Sequence, residues 1–165
     1  MKKAIIVSDT HGNNDNFHKV MKMHPDAEFV IHCGDIEGGE DDIRRSVKCP
    51  LYLVAGNNDY FCALPRELEE SLFGHRVFIT HGHHYRVSVS IEMLRDEAVA
   101  RDCDIAFFGH THRPEVSYGH DCYIVNPGSL SYPRQEGRKP SFCIWEVDDR
   151  GQDHFTIGYL NDGIM

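Results

Sequence analysis

Short apolar runs recur along the chain, and each of the first five ends in polar residues of one kind. Residues 4–7 lead into Ser8-Asp9-Thr10-His11-Gly12, and residues 29–31 into His32-Cys33-Gly34-Asp35. Residues 51–55 lead into Gly56-Asn57-Asn58-Asp59, residues 77–79 into Thr80-His81-Gly82-His83-His84, and residues 105–108 into Gly109-His110-Thr111-His112. Brief β-branched or aromatic runs bounded by glycine predict buried strands. Helical spacing separates them. Residues 13–23 carry Phe17, Val20 and Met21, residues 41–47 form a short charged segment, and residues 88–101 place Ile91, Leu94 and Ala98 on one face. Ser88 or Ser90 is the expected N-cap of that last helix. The acidic run Glu40-Asp41-Asp42 reads as a solvated helix start. Alternating strands and helices predict an α/β layered fold. Beyond His112 the pattern changes: residues 115–118, 122–125, 141–147 and 155–159 predict strands of a second, mainly antiparallel sheet, with residues 126–140 as one long loop.

At 165 residues, with no low-complexity linker, the chain reads as a single domain over residues 1–165. No apolar run approaches the ~20 residues of a membrane span, and the N-terminal run is shorter than an export core of ~7–15 residues, so a cytoplasmic location with no membrane partner is expected. None of the six cysteines is spaced as C-x-x-C, which predicts reduced, mostly buried thiols. The net charge of −9 offers no basic face to duplex nucleic acid. Any phosphate ligand must find its positive charge somewhere other than lysine and arginine.

In open α/β sheets, ligands bind beyond the carboxyl ends of the strands. If the strands run roughly parallel, the residues that follow the five runs converge. The candidate ligands are Asp9, His11, Asp35, Asn57, His81, His110 and His112. One first-row cation has no room for seven protein donors. Two have room, if a carboxylate is shared. The set lacks thiolate, unlike most structural zinc sites, and suits manganese, iron, zinc, cobalt or nickel. Manganese is the expectation carried forward. Two divalent ions against two carboxylates leave the site near +2, which solves the charge problem.

These motifs, in this order, resemble the signature of the calcineurin-like metallophosphoesterases. The chain length and the Asn126-Pro127-Gly128-Ser129 segment resemble the small YfcE-like bacterial and archaeal phosphodiesterases. The resemblance spans nearly the whole chain. It implies a four-layer αββα sandwich, two mixed β-sheets flanked by helices, with a dinuclear site. Asp9, His11 and His112 would hold one metal, Asn57, His81 and His110 the other, and Asp35 would bridge. It further implies hydrolysis of a small phosphodiester by metal-activated hydroxide, and it is compatible with a homo-oligomer.

The chain departs from larger family members at one position. They carry G-N-H-[DE], whose histidine contacts the phosphate, and here that residue is Asn58, which has no titratable proton. The small members also lack the histidine. Asn58 is therefore expected to orient the phosphate, while activated water or His83 handles protons. Asp59 is expected to brace the loop or a ligand from behind. The same departure keeps a rival alive, because the retromer subunit of similar fold serves as a non-catalytic metal-binding scaffold. The seven intact candidate ligands favour the enzyme. His18, His24, His32, His75, His120 and His154 read as structural or surface histidines, and Arg134 as a surface guanidinium.

Overall fold

A computed structural model describes residues 1–60 and 62–160. In chain order the elements are β1 (Lys2–Val7), α1 (Asp15–Met23), β2 (Val30–His32), α2 (Glu40–Ser46), β3 (Leu51–Leu53), β4 (Glu67–Leu72) and β5 (His75–Thr80). A 3₁₀ turn (His83–Tyr85), α3 (Glu92–Ala100), β6 (Ile105–Phe107), β7 (Glu115–Tyr118), β8 (Tyr123–Asn126), β9 (Ser141–Val147) and β10 (Asp153–Tyr159) follow.

The strands form two five-stranded mixed sheets, ordered β10-β9-β1-β2-β3 and β4-β5-β6-β8-β7. β1, β2 and β3 run parallel in the first sheet, and β5, β6 and β8 run parallel in the second. Antiparallel strands complete each: β9 and β10 on the first, β4 and β7 as the edges of the second. The αββα layering expected from the resemblance is therefore present. The reading of the later strands as a sheet of their own is corrected. They divide, β7 and β8 joining β5 and β6, while β9 and β10 return to pair beside β1.

The pleat explains why the early runs are apolar throughout. In β1, Ala4 and Ile6 face the core between the sheets, while Ile5 and Val7 face α1 and α2. In β6, Ile105 and Phe107 face the same inter-sheet core, while Ala106 joins α3 residues Leu94 and Ala98. Strands covered on both faces have no solvent side to alternate toward. Trp145 on β9 is completely buried, stacks on Phe155, and donates its indole N–H to Asp153 at 2.8 Å.

Most strand and helix ends shift by two residues or fewer; the start of α3 and one unpredicted strand differ more. α1 starts at Asp15, not residue 13, because Asn14 is its N-cap and the Asn13 side-chain oxygen accepts the Asp15 N–H at 3.1 Å. α3 starts at Glu92, with Ile91 at its N-cap and no side-chain cap. The Ser90 hydroxyl takes only the Glu92 N–H, at 3.1 Å. β4 was not foreseen: its sequence ELEESL is half glutamate, as suits an edge strand with one solvated face.

Candidate metal centre

Candidate ligands gather at one rim of the two sheets, carried by the loops after β1, β2, β3, β5 and β6. The backbone there is unusual. Asp9, His11, Asp35, His110 and His112 all have positive φ, between 50° and 71°. Asp and His tolerate this region better than most side chains, yet it still costs ~1 kcal/mol or more per residue. Backbone hydrogen bonds hold the loops in place: Asp9 N–H to Gly34 O at 3.0 Å, His11 N–H to Asp35 O at 2.9 Å, and Gly12 N–H to Ile36 O at 2.8 Å. Strain at so many residues of one cluster marks a built site.

The donor atoms face inward. Asp9 Oδ1 lies 3.2 Å from His112 Nε2, 3.5 Å from His11 Nε2 and 3.8 Å from His81 Nε2. Asp35 Oδ2 lies 3.4 Å from His81 Nε2 and 3.8 Å from His11 Nε2, between the two halves. On the second half, His110 Nδ1 is 3.2 Å from Asn57 Oδ1 and 3.3 Å from His81 Nε2. Cis donors around a cation with bonds of ~2.1 Å stand about 3.0–3.4 Å apart; the spacings of 3.2–3.4 Å fall in that range, and those of 3.5–3.8 Å lie just beyond it.

The imidazole tautomers agree. His81 Nδ1–H donates to Cys33 O at 2.8 Å, His112 Nδ1–H to Tyr132 O at 2.7 Å, and His11 Nδ1–H to Glu37 Oε2 at 2.8 Å. Each bond ties off one nitrogen and aims the other lone pair into the cluster. Asp9 Oδ2 is satisfied by the Ser8 hydroxyl at 2.6 Å and the His110 N–H at 3.1 Å, but Asp9 Oδ1 is buried with no hydrogen-bond partner. An orphaned carboxylate oxygen ringed by imidazole nitrogens is the environment a divalent cation completes, so the residues fit the metal.

Titration behaviour follows from the crowding. Burial alone would raise the Asp9 carboxyl, but His11, His112 and His81 outweigh it and hold it well below the usual carboxylate range. Burial would lower His11, but Asp9, then Glu37 and Asp35, raise it to about 9. His81 is likewise raised against its burial, by Asp35 and Asp9. Without a cation, protons on imidazole take over the neutralising role.

Asn58 grips Asp35 from outside, its backbone N–H on Oδ1 at 2.9 Å and its side-chain amide on Oδ2 at 3.0 Å. His83 stands beside the second half, with ring centroids 5.5 Å from His81 and 6.1 Å from His110, and its Nδ1 is buried without a partner. Burial, then the neighbouring imidazoles of His84, His81 and His110, depress it to about 4. The Asp59 carboxylate touches no candidate ligand side chain. It accepts the N–H groups of Asp35, Ile36, Glu37 and Gly56 at 2.7–3.2 Å, lacing the loops after β2 and β3 together.

Sequence reasoning missed another set of supports. The Ser129 hydroxyl holds Asp9 O at 2.8 Å and the Ser131 hydroxyl holds Thr10 O at 2.6 Å. Asn126, fully buried, holds Gly109 O and the Thr111 hydroxyl. Gly109 is fixed by space: a Cβ there would stand 2.0 Å from Ser8 Oγ and 2.7 Å from Asp9 Oδ2. The only signal for these supports was the Asn126-Pro127-Gly128-Ser129 segment itself.

Residues 1–150 match the family model of the calcineurin-like phosphoesterase superfamily domain. A protein of Mycoplasma pneumoniae named a probable metallophosphoesterase is 32% identical over 98% of this chain and 100% of its own. A Methanocaldococcus jannaschii protein named a phosphodiesterase is 31% identical over 76% of this chain and 82% of its own. Among solved structures, Vps29 of Entamoeba histolytica complexed with zinc superposes with a TM-score of 0.75 at 21% identity, covering 96% of this chain and 99% of that one. The chain belongs to the calcineurin-like phosphoesterase superfamily.

Proposed function

We propose that the chain is a phosphodiesterase that holds two divalent cations, manganese first among them, and hydrolyses a small phosphodiester. The observation that carries this is Asp9 Oδ1: buried, unpartnered, and within 3.8 Å of three imidazole nitrogens whose opposite nitrogens are tied off or turned away. Asp9, His11 and His112 hold one cation, Asn57, His81 and His110 the other, and Asp35 lies between them. When bound, such a pair polarises phosphoryl oxygens and lowers the pKa of water towards ~7. The preference for a diester takes its support from the M. jannaschii relative and from the family resemblance.

The chain's own residues then have distinct tasks. Asn58 fixes Asp35 with one side-chain amide hydrogen and has a second to give to a phosphate oxygen. His83 is depressed to about 4, so at neutral pH it is neutral, a weak base, and carries no imidazolium proton for a leaving alkoxide. Asp59 and Ser129 touch nothing that reacts. They hold the loops from which Asp35 and Asp9 project.

Assay of bis-p-nitrophenyl phosphate with Mn²⁺, with EDTA, and with Asp35→Asn in Mn²⁺ tests this. The expected result is turnover in the first arm, none in the second, and a loss of at least ~10²-fold in the third. No turnover in any arm would favour a metal-binding scaffold, a reading to which the zinc-bound sorting protein of the same fold lends weight.

A further inference from the structure

A cleft of about 480 Å³ opens beside the metal centre, with Ser88, Ser90, Thr111, Arg113, Glu115 and Arg134 on its walls. It is covalently and structurally continuous with the candidate ligands. Thr111 lies between His110 and His112, Arg113 follows His112 directly, and the Arg134 N–H donates to His112 O at 3.0 Å. The Thr111 hydroxyl accepts from Asn126 at 2.9 Å and from the Arg113 N–H at 3.2 Å, which pins this wall to the buried frame behind the centre.

The cleft brings two arginines together. Arg44, Arg76, Arg95 and Arg101 each pair with a glutamate, whereas among the described residues the guanidiniums of Arg45, Arg66, Arg86, Arg138 and Arg150 have no carboxylate ion pair and do not line this cleft. Among the described residues, the Arg113 and Arg134 guanidiniums have no carboxylate partner. In a chain of net charge −9, two unneutralised guanidiniums share one cleft beside the proposed site of phosphate chemistry. Glu115 is the one carboxylate on its walls, and it leaves the two guanidiniums in excess by one charge. Guanidinium presents planar, paired N–H groups that match phosphate oxygens two at a time.

We propose that this cleft seats a second phosphate, so that the substrate is a phosphodiester bearing a further phosphate group, with Arg113 and Arg134 as its positioning residues. This revises the reading of Arg134 as an ordinary surface side chain, and it rests on the phosphodiesterase reading above. The second phosphate undergoes no chemistry. It fixes the diester's direction across the centre and selects phosphorylated nucleotides or sugar phosphates over plain diesters.

Two substrates isolate the effect: the p-nitrophenyl ester of thymidine 5′-phosphate, and the same ester carrying a 3′-phosphate. The wild-type chain is expected to prefer the 3′-phosphorylated ester by about tenfold or more in kcat/KM, expressed mainly in KM, as one or two charge-assisted contacts provide. In Arg113→Gln/Arg134→Gln that ratio falls to near one. Arg45→Gln/Arg150→Gln, an equal loss of two charges away from the cleft, leaves the ratio intact. A wild-type ratio of one, or a ratio that survives the double substitution, overturns the proposal. Calorimetry of EDTA-treated protein with inorganic tripolyphosphate gives a readout free of turnover: saturable binding in wild type, lost in the double variant. Should neither ester be cleaved, the phosphodiesterase reading fails. The cleft is then judged by calorimetry alone, where absent binding, or binding unchanged by the substitutions, refutes it as an anion seat.

Discussion

Asp59 and Asp35 are joined back to front: the Asp59 carboxylate accepts the Asp35 backbone N–H at 2.8 Å, while the Asp35 carboxylate points the other way, into the cluster. The same Asp59 oxygen also takes Ile36 and Gly56, and its second oxygen takes Glu37 at 2.7 Å. Asparagine has one acceptor oxygen where aspartate has two, so Asp59→Asn leaves at least one N–H facing an amide. Each unpaired group costs ~1–3 kcal/mol where it is shielded from water. The expected outcome is a chain that still folds by circular dichroism but binds Mn²⁺ roughly 10–100-fold more weakly, the usual effect of losing a residue that orients a ligand. Unchanged affinity in a metal titration would show that Asp59 does not position Asp35.

Cation uptake displaces protons. His11 titrates near 9 in the metal-free chain, so at pH 7.5 its imidazole carries a proton that coordination must remove. Calorimetric titration of EDTA-treated, dialysed protein in two buffers of different ionisation enthalpy is expected to report proton release on Mn²⁺ binding at pH 7.5. The release shrinks as pH rises through about 9, where His11 is already neutral. His11→Ala lowers the proton count at pH 7.5. Buffer-independent heats at that pH would contradict the arrangement.

Gly109 and Asp9 compete for the same space. A methyl group at residue 109 must displace Ser8 Oγ or Asp9 Oδ2, both of which belong to the bond that aims Asp9. Gly109→Ala is expected to lower stability by ~1–3 kcal/mol, as overpacking of a dense interior does. It should also abolish the rise in melting temperature that Mn²⁺ gives the wild-type chain. A variant that keeps the full metal-dependent shift in a thermal melt would show that the Ser8–Asp9 pair tolerates rearrangement.

With the cluster imidazoles engaged as ligands, the lack of a titratable proton at Asn58 sets a leaving-group preference. His83 is neutral and Asn58 has no titratable proton, so alkyl diesters lack a donor while p-nitrophenolate needs none. Replacing Asn58 with histidine is expected to narrow the gap between aryl and alkyl phosphodiester rates by ~10-fold or more, within the span of general acid catalysis. An unchanged ratio of the two rates would place proton delivery elsewhere.

What the sequence revealed of this molecule depended on periodicity and spacing. The runs at β1, β5 and β6 were legible because both faces of those strands are covered, leaving them apolar without a break. The candidate ligands were legible because each follows such a run within a few residues. Sheet membership was not. An apolar run carries no mark of its partner, so nothing in residues 141–147 tells that β9 pairs with β1 rather than with β8. Glu67–Leu72 stayed hidden because an edge strand has glutamates on its solvated side. Ser129 and Ser131 stayed hidden for another reason: a single hydroxyl serving a distant backbone carbonyl leaves no periodic pattern along the chain.

His32 links the fold to acidity without being a candidate ligand. It is completely buried, takes the Gly34 N–H on Nδ1 at 3.1 Å, and gives its Nε2–H to the Thr10 hydroxyl at 3.1 Å. Burial, against the pull of Asp9 and Asp59, lowers it from 6.5 to about 4. The unfolded chain protonates this imidazole near 6.5, whereas the folded chain resists until about 4, so between those values the unfolded state holds the extra proton. Stability from this residue is therefore whole above pH ~6.5 and declines as pH falls, by up to ~1.4 kcal/mol per pH unit and ~3 kcal/mol in all, levelling below about 4. Urea unfolding of EDTA-treated protein at pH 7 and at pH 5 is the measurement. His32→Asn is expected to be less stable than wild type at pH 7, having lost packing and the bond to Thr10, but to lose less further stability at pH 5. Parallel losses in the two proteins between those pH values would mean that His32 does not carry the acid sensitivity.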